Sequence, residues 1–234
     1  MPPPSEHTLK QFDADLEAIR SKVLQMGGLV ELQIRNAVRG LSTGDADVAE
    51  QVIQTDREVN GYEVEIDEAC ARIIARRQPA AGDLRTVMSI SKTVTDLERM
   101  GDEAKKIARI AKQILERGQL QLPRLADVNH AAEAAIELLR KALDAYARLD
   151  ADTAQKLIRE DAAIDTEFRA ILRQLITYMM EDPRTITTAM DIIWIAKAIE
   201  RIGDHSKNIA EQLVFIVEGT DIRHTMPSRA STAA

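Results

Sequence analysis

Aromatic residues, cysteine, excess positive charge and long apolar runs are all scarce in this 234-residue chain. Phe, Trp and Tyr make up only 3% of the residues, which favours helices because sheet surfaces select aromatic and β-branched side chains. Cys70 is the single cysteine, so a disulfide framework and a thiolate zinc site are both excluded. The net charge of −7 argues against a nucleic-acid partner, because a broad grip on a duplex needs a basic face.

The sequence also lacks a membrane-spanning segment. No stretch approaches the roughly 18 consecutive apolar residues of a transmembrane helix, and the richest one, Ile192 to Ile199, contains Lys197. Residues 1–6 do not have the basic patch and apolar run of a signal peptide. We therefore expect a cytoplasmic protein that meets a membrane only indirectly, through a partner.

The most informative feature that is present is an internal repeat. Glu98-Arg99-Met100-Gly101-Asp102 returns as Glu200-Arg201-Ile202-Gly203-Asp204, and seven of the eleven positions from Glu98 to Ala108 are identical to those 102 residues later. Upstream, Asp45-Ala46-Asp47 matches Asp150-Ala151-Asp152, and Asp56 matches Asp161, at an offset of 105 residues. Such self-similarity indicates one structural unit present twice.

Apolar residues recur at steps of three and four through most of the chain, which predicts six helices. Polar, Gly and Pro-containing breaks separate them, and short turns make sequential helices antiparallel. We therefore predict an all-α fold of two tandem antiparallel three-helix bundles related by a pseudo-twofold axis. The predicted division is a disordered N-terminus at 1–8, bundles at 9–118 and 124–218, and a flexible tail at 219–234. Asp83 is predicted to cap the third helix, and Gly27 and Gly28 are interpreted as a close backbone approach or a bend.

The repeated acids share helix faces, because residues four apart on a helix lie about 5–6 Å from one another. Glu98 therefore points the same way as Asp102, and Glu200 the same way as Asp204. Neighbouring helices offer further oxygens, from Asp56, Asn60, Glu63 and Asp67 in the first repeat and from Asp161 and Asp165 in the second. Clustered oxygens without cysteine indicate a hard-cation site, which Mg²⁺, Mn²⁺ or iron fits better than Zn²⁺.

A charged helix edge is also explained by solvation alone. The residues by themselves therefore leave two interpretations open, a metal site and a solvated surface. Arg99, Arg201, Lys105 and Lys207 are placed to neutralise the acids. Gly101 and Gly203 indicate a close approach, by another helix or by an ion.

Three other positions need an interpretation. His205 lies 100° round the helix from Asp204 and is interpreted as a solvated side chain. Asp127 and His130 have the spacing of half a di-iron motif, but no second half is present, so we interpret them as surface residues. Trp194 falls outside the main apolar arc and is expected to pack against a neighbouring helix, with a contact to a partner or a second copy as the alternative.

The repeated signatures, together with Arg76-Arg77-Gln78-Pro79 and Asp83-Leu84-Arg85, resemble the PhoU family over about Leu9 to Gly219. This resemblance implies a non-catalytic cytosolic regulator, commonly a homodimer. Its implied partners are the nucleotide-binding subunit of a phosphate ABC transporter and a phosphate-responsive sensor histidine kinase, and its implied role is to keep phosphate-starvation genes off. It implies no organic cofactor, but metal ions at Glu/Asp-x-x-x-Asp motifs, carried here by Glu98, Asp102, Asp161, Asp165, Glu200, Asp204 and Asp56. Asn60 departs from its counterpart Asp165, which predicts weaker binding in the first repeat.

Two other functions use the same residues. A carboxylate-bridged metalloenzyme on a helical bundle would employ the acids in catalysis, and a structural scaffold would not bind metal at all. No glycine-rich nucleotide loop and no nucleophile–base pair is visible in the sequence.

Overall fold

The computed structural model describes residues 6–118 and 123–222, and these residues form helices joined by short connections, with no strand among them. The helices are α1 (Glu6–Thr43), α2 (Ala46–Arg77), α3 (Gly82–Glu116), α4 (Leu125–Arg148), α5 (Ala151–Glu181) and α6 (Ile186–Glu218), with a 3₁₀ turn at Pro183–Thr185 before α6. The prediction of an all-α fold is confirmed. None of the helices in the described ranges is long and apolar enough to cross a membrane.

The repeat is visible in how the second helix of each bundle begins. Asp45 caps α2, and its Oδ1 accepts hydrogen bonds from the backbone amides of Asp47 and Val48 at 3.0 and 3.1 Å. Its counterpart Asp150 caps α5 and accepts from the Thr153 amide at 2.9 Å. Each cap satisfies amides that the first helical turn leaves free.

The two bundles share one core. α1, α2 and α3 pack on one another, as do α4, α5 and α6, while α3 lies against α6 and α1 against α4 at the centre. α3 and α6 place many side chains in this core, and those that are fully buried include Val94, Leu97, Met100, Ile107, Ile195, Ile202 and Ile209. The predicted pair of tandem three-helix bundles is confirmed, whereas the division into units at 9–118 and 124–218 stays a prediction.

Two predicted boundaries differ from the structure. α1 begins at Glu6, three residues before the first bundle predicted at 9–118, while residues 1–5 lie outside the described part of the chain. α3 begins at Gly82 behind Ala81, without a side-chain cap, and Asp83 lies in its first turn. The capping role predicted for Asp83 is therefore wrong. Residues 223–234 of the predicted tail also lie outside the described residues.

The two glycines of α1 have different surroundings. α1 runs through both without interruption. A Cβ placed on Gly27 would lie 2.6 and 2.8 Å from the two Cδ atoms of Leu143 on α4, whereas one on Gly28 would meet no atom within 4 Å. Gly27 therefore allows α1 to approach α4, and Gly28 has no such role.

Alanine substitutions distinguish the two positions. Gly28→Ala should raise the free energy of unfolding by about 1 kcal/mol, because alanine is the better helix former. Gly27→Ala gains the same helix propensity, but its new Cβ collides with Leu143, and this overpacking costs about 1–3 kcal/mol. Gly27→Ala should therefore be less stable than Gly28→Ala. Urea denaturation measures both, with Gly28→Ala as the matched control. Equal stabilities for the two variants would contradict the close packing of α1 on α4.

Candidate metal centres

The first carboxylate cluster consists of Asp56 and Glu63 on α2 and of Glu98 and Asp102 on α3. Burial raises the pKa of Glu98, and the negative charges of Asp102, Glu63 and Asp56 raise it further. Burial also raises the pKa of Glu63, with contributions from Asp67 and Asp102. The acids of α2 and α3 therefore face one another closely enough to disfavour each other's ionisation.

The second carboxylate cluster consists of Asp161 and Asp165 on α5 and of Glu200 and Asp204 on α6. Burial raises the pKa of Asp204, and the charges of Glu200 and Asp165 add to the effect. Burial likewise raises the pKa of Asp161, against the opposing charge of Lys207. The structure thus brings together, on matching helices of the two repeats, the acids that sequence analysis selected.

Lysines lie against both clusters. Lys105 forms an ion pair with Asp56, which is buried. In the second repeat, the Lys207 Nζ lies 3.6 Å from Asp161 Oδ2, and the Lys197 Nζ lies 2.5 Å from Glu200 Oε2. Across residues 6–118 and 123–222, no three His, Cys, Asp or Glu side chains are arranged so that they could hold a metal ion.

The residue types nevertheless fit a hard cation. All eight cluster side chains are carboxylates, the ligands that Mg²⁺, Mn²⁺ and iron prefer, and several have raised pKa values because their negative charges are crowded and half-buried. In this arrangement lysine ammonium groups supply the compensating charge. A metal ion and Lys105 or Lys207 would therefore compete for the same oxygens, and metal binding by the clusters stays a prediction.

The neutralising role predicted for the cations is met by both lysines and not by Arg201. Lys105 and Lys207 do contact cluster acids. Arg201 instead reaches across to α3, where its Nη1 lies 2.5 Å from Glu103 Oε1. The prediction for Arg201 is therefore wrong, because α6 packs against α3 on that side and Glu103 lies within reach.

The glycines of the repeated motif lie where helices approach each other. A Cβ on Gly203 would be 3.0 Å from Ile164 Cδ1 and 3.2 Å from Asp161 Oδ1, both on α5. A Cβ on Gly101 would be 3.3 Å from Val59 on α2 and 3.2 Å from Gln33 on α1. Close helix packing therefore explains both glycines, and at Gly203 it also sets the position of a cluster acid.

His205 is not the solvated side chain that sequence analysis expected. It is buried between α6 and α3, where its Nδ1 lies 2.8 Å from Asp96 Oδ1, and Asn208 Nδ2 donates to the same oxygen at 3.0 Å. The spacing to Ile202 and Ile209, both fully buried, could have revealed this. Steps of three and four residues to these isoleucines place His205 on the apolar face of α6. The 100° angle between His205 and Asp204 does not by itself show this.

Two further sequence interpretations concern exposed residues. His130 is exposed and its Nε2 lies 3.3 Å from Glu167 Oε1 on α5, so it is a surface residue as expected. Trp194 is 49% exposed, and Lys106 of α3 lies 5.6 Å from the centroid of its ring. The expected packing of Trp194 against a neighbouring helix is therefore only partial.

The crowding in the second cluster predicts how stability depends on pH. A raised acid pKa means that the folded state binds the proton more tightly than the unfolded state, so stability falls as the pH rises through these pKa values. In metal-free buffer, Asp204→Asn should raise the free energy of unfolding at pH 7 by about 0.2–0.5 kcal/mol, the usual cost of one like-charge pair at this spacing. The gain should vanish near pH 3, below the ordinary aspartate pKa of about 3.9.

Urea denaturation in EDTA at both pH values measures this effect. The control is Asp144→Asn, which removes the same charge from an exposed position on α4. A loss of stability in Asp204→Asn at pH 7, or the same gain in the control, would contradict the crowding.

A family model and individual relatives both match this chain over most of its length. The family model described as "PhoU domain" matches this chain twice, at residues 23–111 and 128–213. The phosphate-specific transport system accessory protein PhoU of Escherichia coli is 48% identical over 221 residues, which cover 94% of this chain and 90% of that protein. The corresponding PhoU homolog of Pseudomonas aeruginosa is 50% identical over the same shares.

Solved structures agree with the sequence comparison. The crystal structure of PhoU from Pseudomonas aeruginosa, 50% identical, superposes with a TM-score of 0.86 and covers 89% of this chain and 100% of its own. The phosphate transport system regulatory protein PhoU from Streptococcus pneumoniae, 30% identical, gives a TM-score of 0.83 over 90% of this chain and 98% of its own. The chain therefore belongs to the PhoU family.

Proposed function

We propose that this protein is a non-enzymatic regulator of phosphate homeostasis that represses the phosphate-starvation response when phosphate is ample. Family membership supports a role in regulating phosphate transport, since relatives carry the names phosphate-specific transport system accessory protein and phosphate transport system regulatory protein. The proposed partners are the nucleotide-binding subunit of the phosphate ABC transporter, a phosphate-sensing histidine kinase and a second copy of this chain. Regulation would proceed by docking, with each partner stabilising a different assembly.

The observation that carries the proposal is the pair of matched carboxylate clusters. Each lies between the second and third helix of its bundle and contains acids with raised pKa values. We propose that Glu98, Asp102 and Asp56 hold a cation in the first repeat, and that Glu200, Asp204, Asp161 and Asp165 hold one in the second. A bound Mg²⁺, Mn²⁺ or iron ion supplies positive charge that offsets the repulsion among these crowded carboxylates.

The lysines make the surface charge of the molecule depend on whether a cluster holds a cation. Lys105 and Lys207 are ion-paired with the buried acids Asp56 and Asp161. When a cation takes over those oxygens, both ammonium groups lose their partners and become available elsewhere. Occupancy of a cluster would therefore change the charge distribution over the face of the bundle, which a docking partner can detect through electrostatic complementarity.

Exposed apolar side chains on the second bundle support association with other proteins. Large apolar residues recur every four positions on α5 and α6 and are at least 38% exposed, namely Ile176, Met180, Ile186, Met190 and Trp194. Grouped exposed apolar side chains of this kind are typical of protein–protein contacts.

Metal analysis tests the clusters directly. Protein purified from cells without chelators should contain Mg, Mn or Fe by mass spectrometry, and Glu98→Gln combined with Glu200→Gln should lose most of it, because an amide is a weaker, neutral ligand. The control combines Glu116→Gln with Glu137→Gln, the same chemical change at exposed positions outside both clusters. An equal metal content in both double variants, or none in the wild type, would contradict the proposed sites.

A deletion strain tests the regulatory role. Removing the protein should raise transcription from phosphate-responsive promoters in high phosphate, as measured with a reporter, because the signal that represses the sensor kinase is lost. Re-expression of the wild-type chain should restore repression, and cells grown at low phosphate should differ little. Unchanged expression at high phosphate would refute the proposed role.

A further inference from the structure

A basic cavity lies between α1 and α2, on a part of the first bundle that the carboxylate clusters do not include. Its volume is about 380 Å³, and its charged lining comprises Lys22, Arg72, Arg76 and Arg77 together with Asp15. We propose that this cavity binds an organic phosphate of nucleotide size. The proposal does not depend on the function proposed above.

The shape of the cavity follows from the length of α1. This helix has 38 residues, whereas its counterpart α4 has 24, and the excess extends the amino end of α1 along the carboxyl-terminal half of α2. Ile19 and Ile73, which are 3% and 5% exposed, form part of an apolar floor beneath the charged side chains. The cavity therefore combines a charged rim with a surface on which an apolar or planar group can lie.

The cations of the rim are only partly neutralised. Arg77 Nη2 donates to Asp15 Oδ2 at 3.0 Å, and Lys22 Nζ donates to Glu65 Oε2 at 2.7 Å. Arg72 Nη1 lies 3.4 Å from Glu68 Oε2 in an exposed pair, which solvent weakens. Arg76 makes no direct ion pair with any side chain that the structure describes, although its charge helps to lower the pKa of Asp15. Arg72 and Arg76 are therefore available to a ligand at little cost.

The duplicated half of the chain provides an internal comparison. At the 105-residue offset that relates Asp45 to Asp150, the four cations Lys22, Arg72, Arg76 and Arg77 correspond to Asp127, Thr177, Glu181 and Asp182. No cation is kept at these positions, and three of the four are acids. The basic rim is thus a property of the first repeat alone, which packing requirements common to both repeats do not explain.

The ligand class follows from size and charge. Guanidinium groups match phosphate oxygens with paired hydrogen bonds, and four cations against one acid in the lining suit an anion with several charges. A volume of about 380 Å³ exceeds what inorganic phosphate needs and falls within the range of about 300–1,000 Å³ that is usual for small-molecule sites. A base or sugar on the apolar floor, with its phosphates towards the arginines, uses both features.

Calorimetric titration of the full chain with ATP in EDTA tests the proposal, with pyrophosphate and adenosine as comparison ligands. ATP should bind, pyrophosphate should bind more weakly and adenosine should not bind. Arg76→Glu, which copies Glu181 of the second repeat, should weaken ATP binding by at least about tenfold, the effect of losing one charge-assisted hydrogen bond. Arg72→Thr, which copies Thr177, should also weaken ATP binding.

The matched control is Arg159→Glu, the same charge change at an exposed position on α5, and it should leave the affinity for ATP within about twofold. Circular dichroism confirms that each variant is folded. Absence of ATP binding, or equal weakening by Arg76→Glu and Arg159→Glu, would overturn the proposal. Equal affinities for ATP and pyrophosphate would overturn the assignment of an organic group to the floor.

Discussion

The packing of α3 against α6 is the constraint on which the rest of the structure depends. Each of these helices contacts both partners in its own bundle and also the other bundle. Polar contacts that cross this central interface include His205 with Asp96 at 2.8 Å and Arg201 with Glu103 at 2.5 Å. Because Asp96, Glu103 and His205 are buried, losing a partner would leave a costly unpaired group, so these contacts fix how the bundles are placed against each other.

This central packing determines where the repeated acids can lie. With one face of α3 and α6 occupied by the other bundle, Glu98 and Glu200 fall on the edges that meet α2 and α5. The buried acids Asp56 and Asp161 lie opposite, each held by a lysine. Crowding and partial burial raise the pKa values of several of these acids. Under the proposed function, each cluster exchanges its lysine for a cation. The same fold therefore provides both the stability of the bundles and the proposed sensitivity to metal.

The sequence predicted the features that depend on local spacing. Helical periodicity and the repeat predicted six helices in two bundles, and four-residue spacing placed Glu98 with Asp102 and Glu200 with Asp204. It could not predict contacts that depend on which helices pack together in space. The partners of His205 and Arg201, Asp96 and Glu103, lie on a helix about a hundred residues away, so these contacts were not predictable, although the spacing of His205 to buried Ile202 and Ile209 does indicate that it is buried. The basic cavity was missed for the same reason, since α1 and α2 each contribute only part of it.

The central claim is that α2 with α3 and α5 with α6 form two cation sites at corresponding positions of the two repeats. Anomalous diffraction from crystals grown with Mn²⁺ tests it most directly. The account predicts one or more peaks between Asp56 and Glu98 and between Asp161 and Glu200, with Lys105 and Lys207 displaced from their carboxylates. Peaks located only elsewhere on the molecule, or both lysines unmoved and no peak at either cluster, would contradict it.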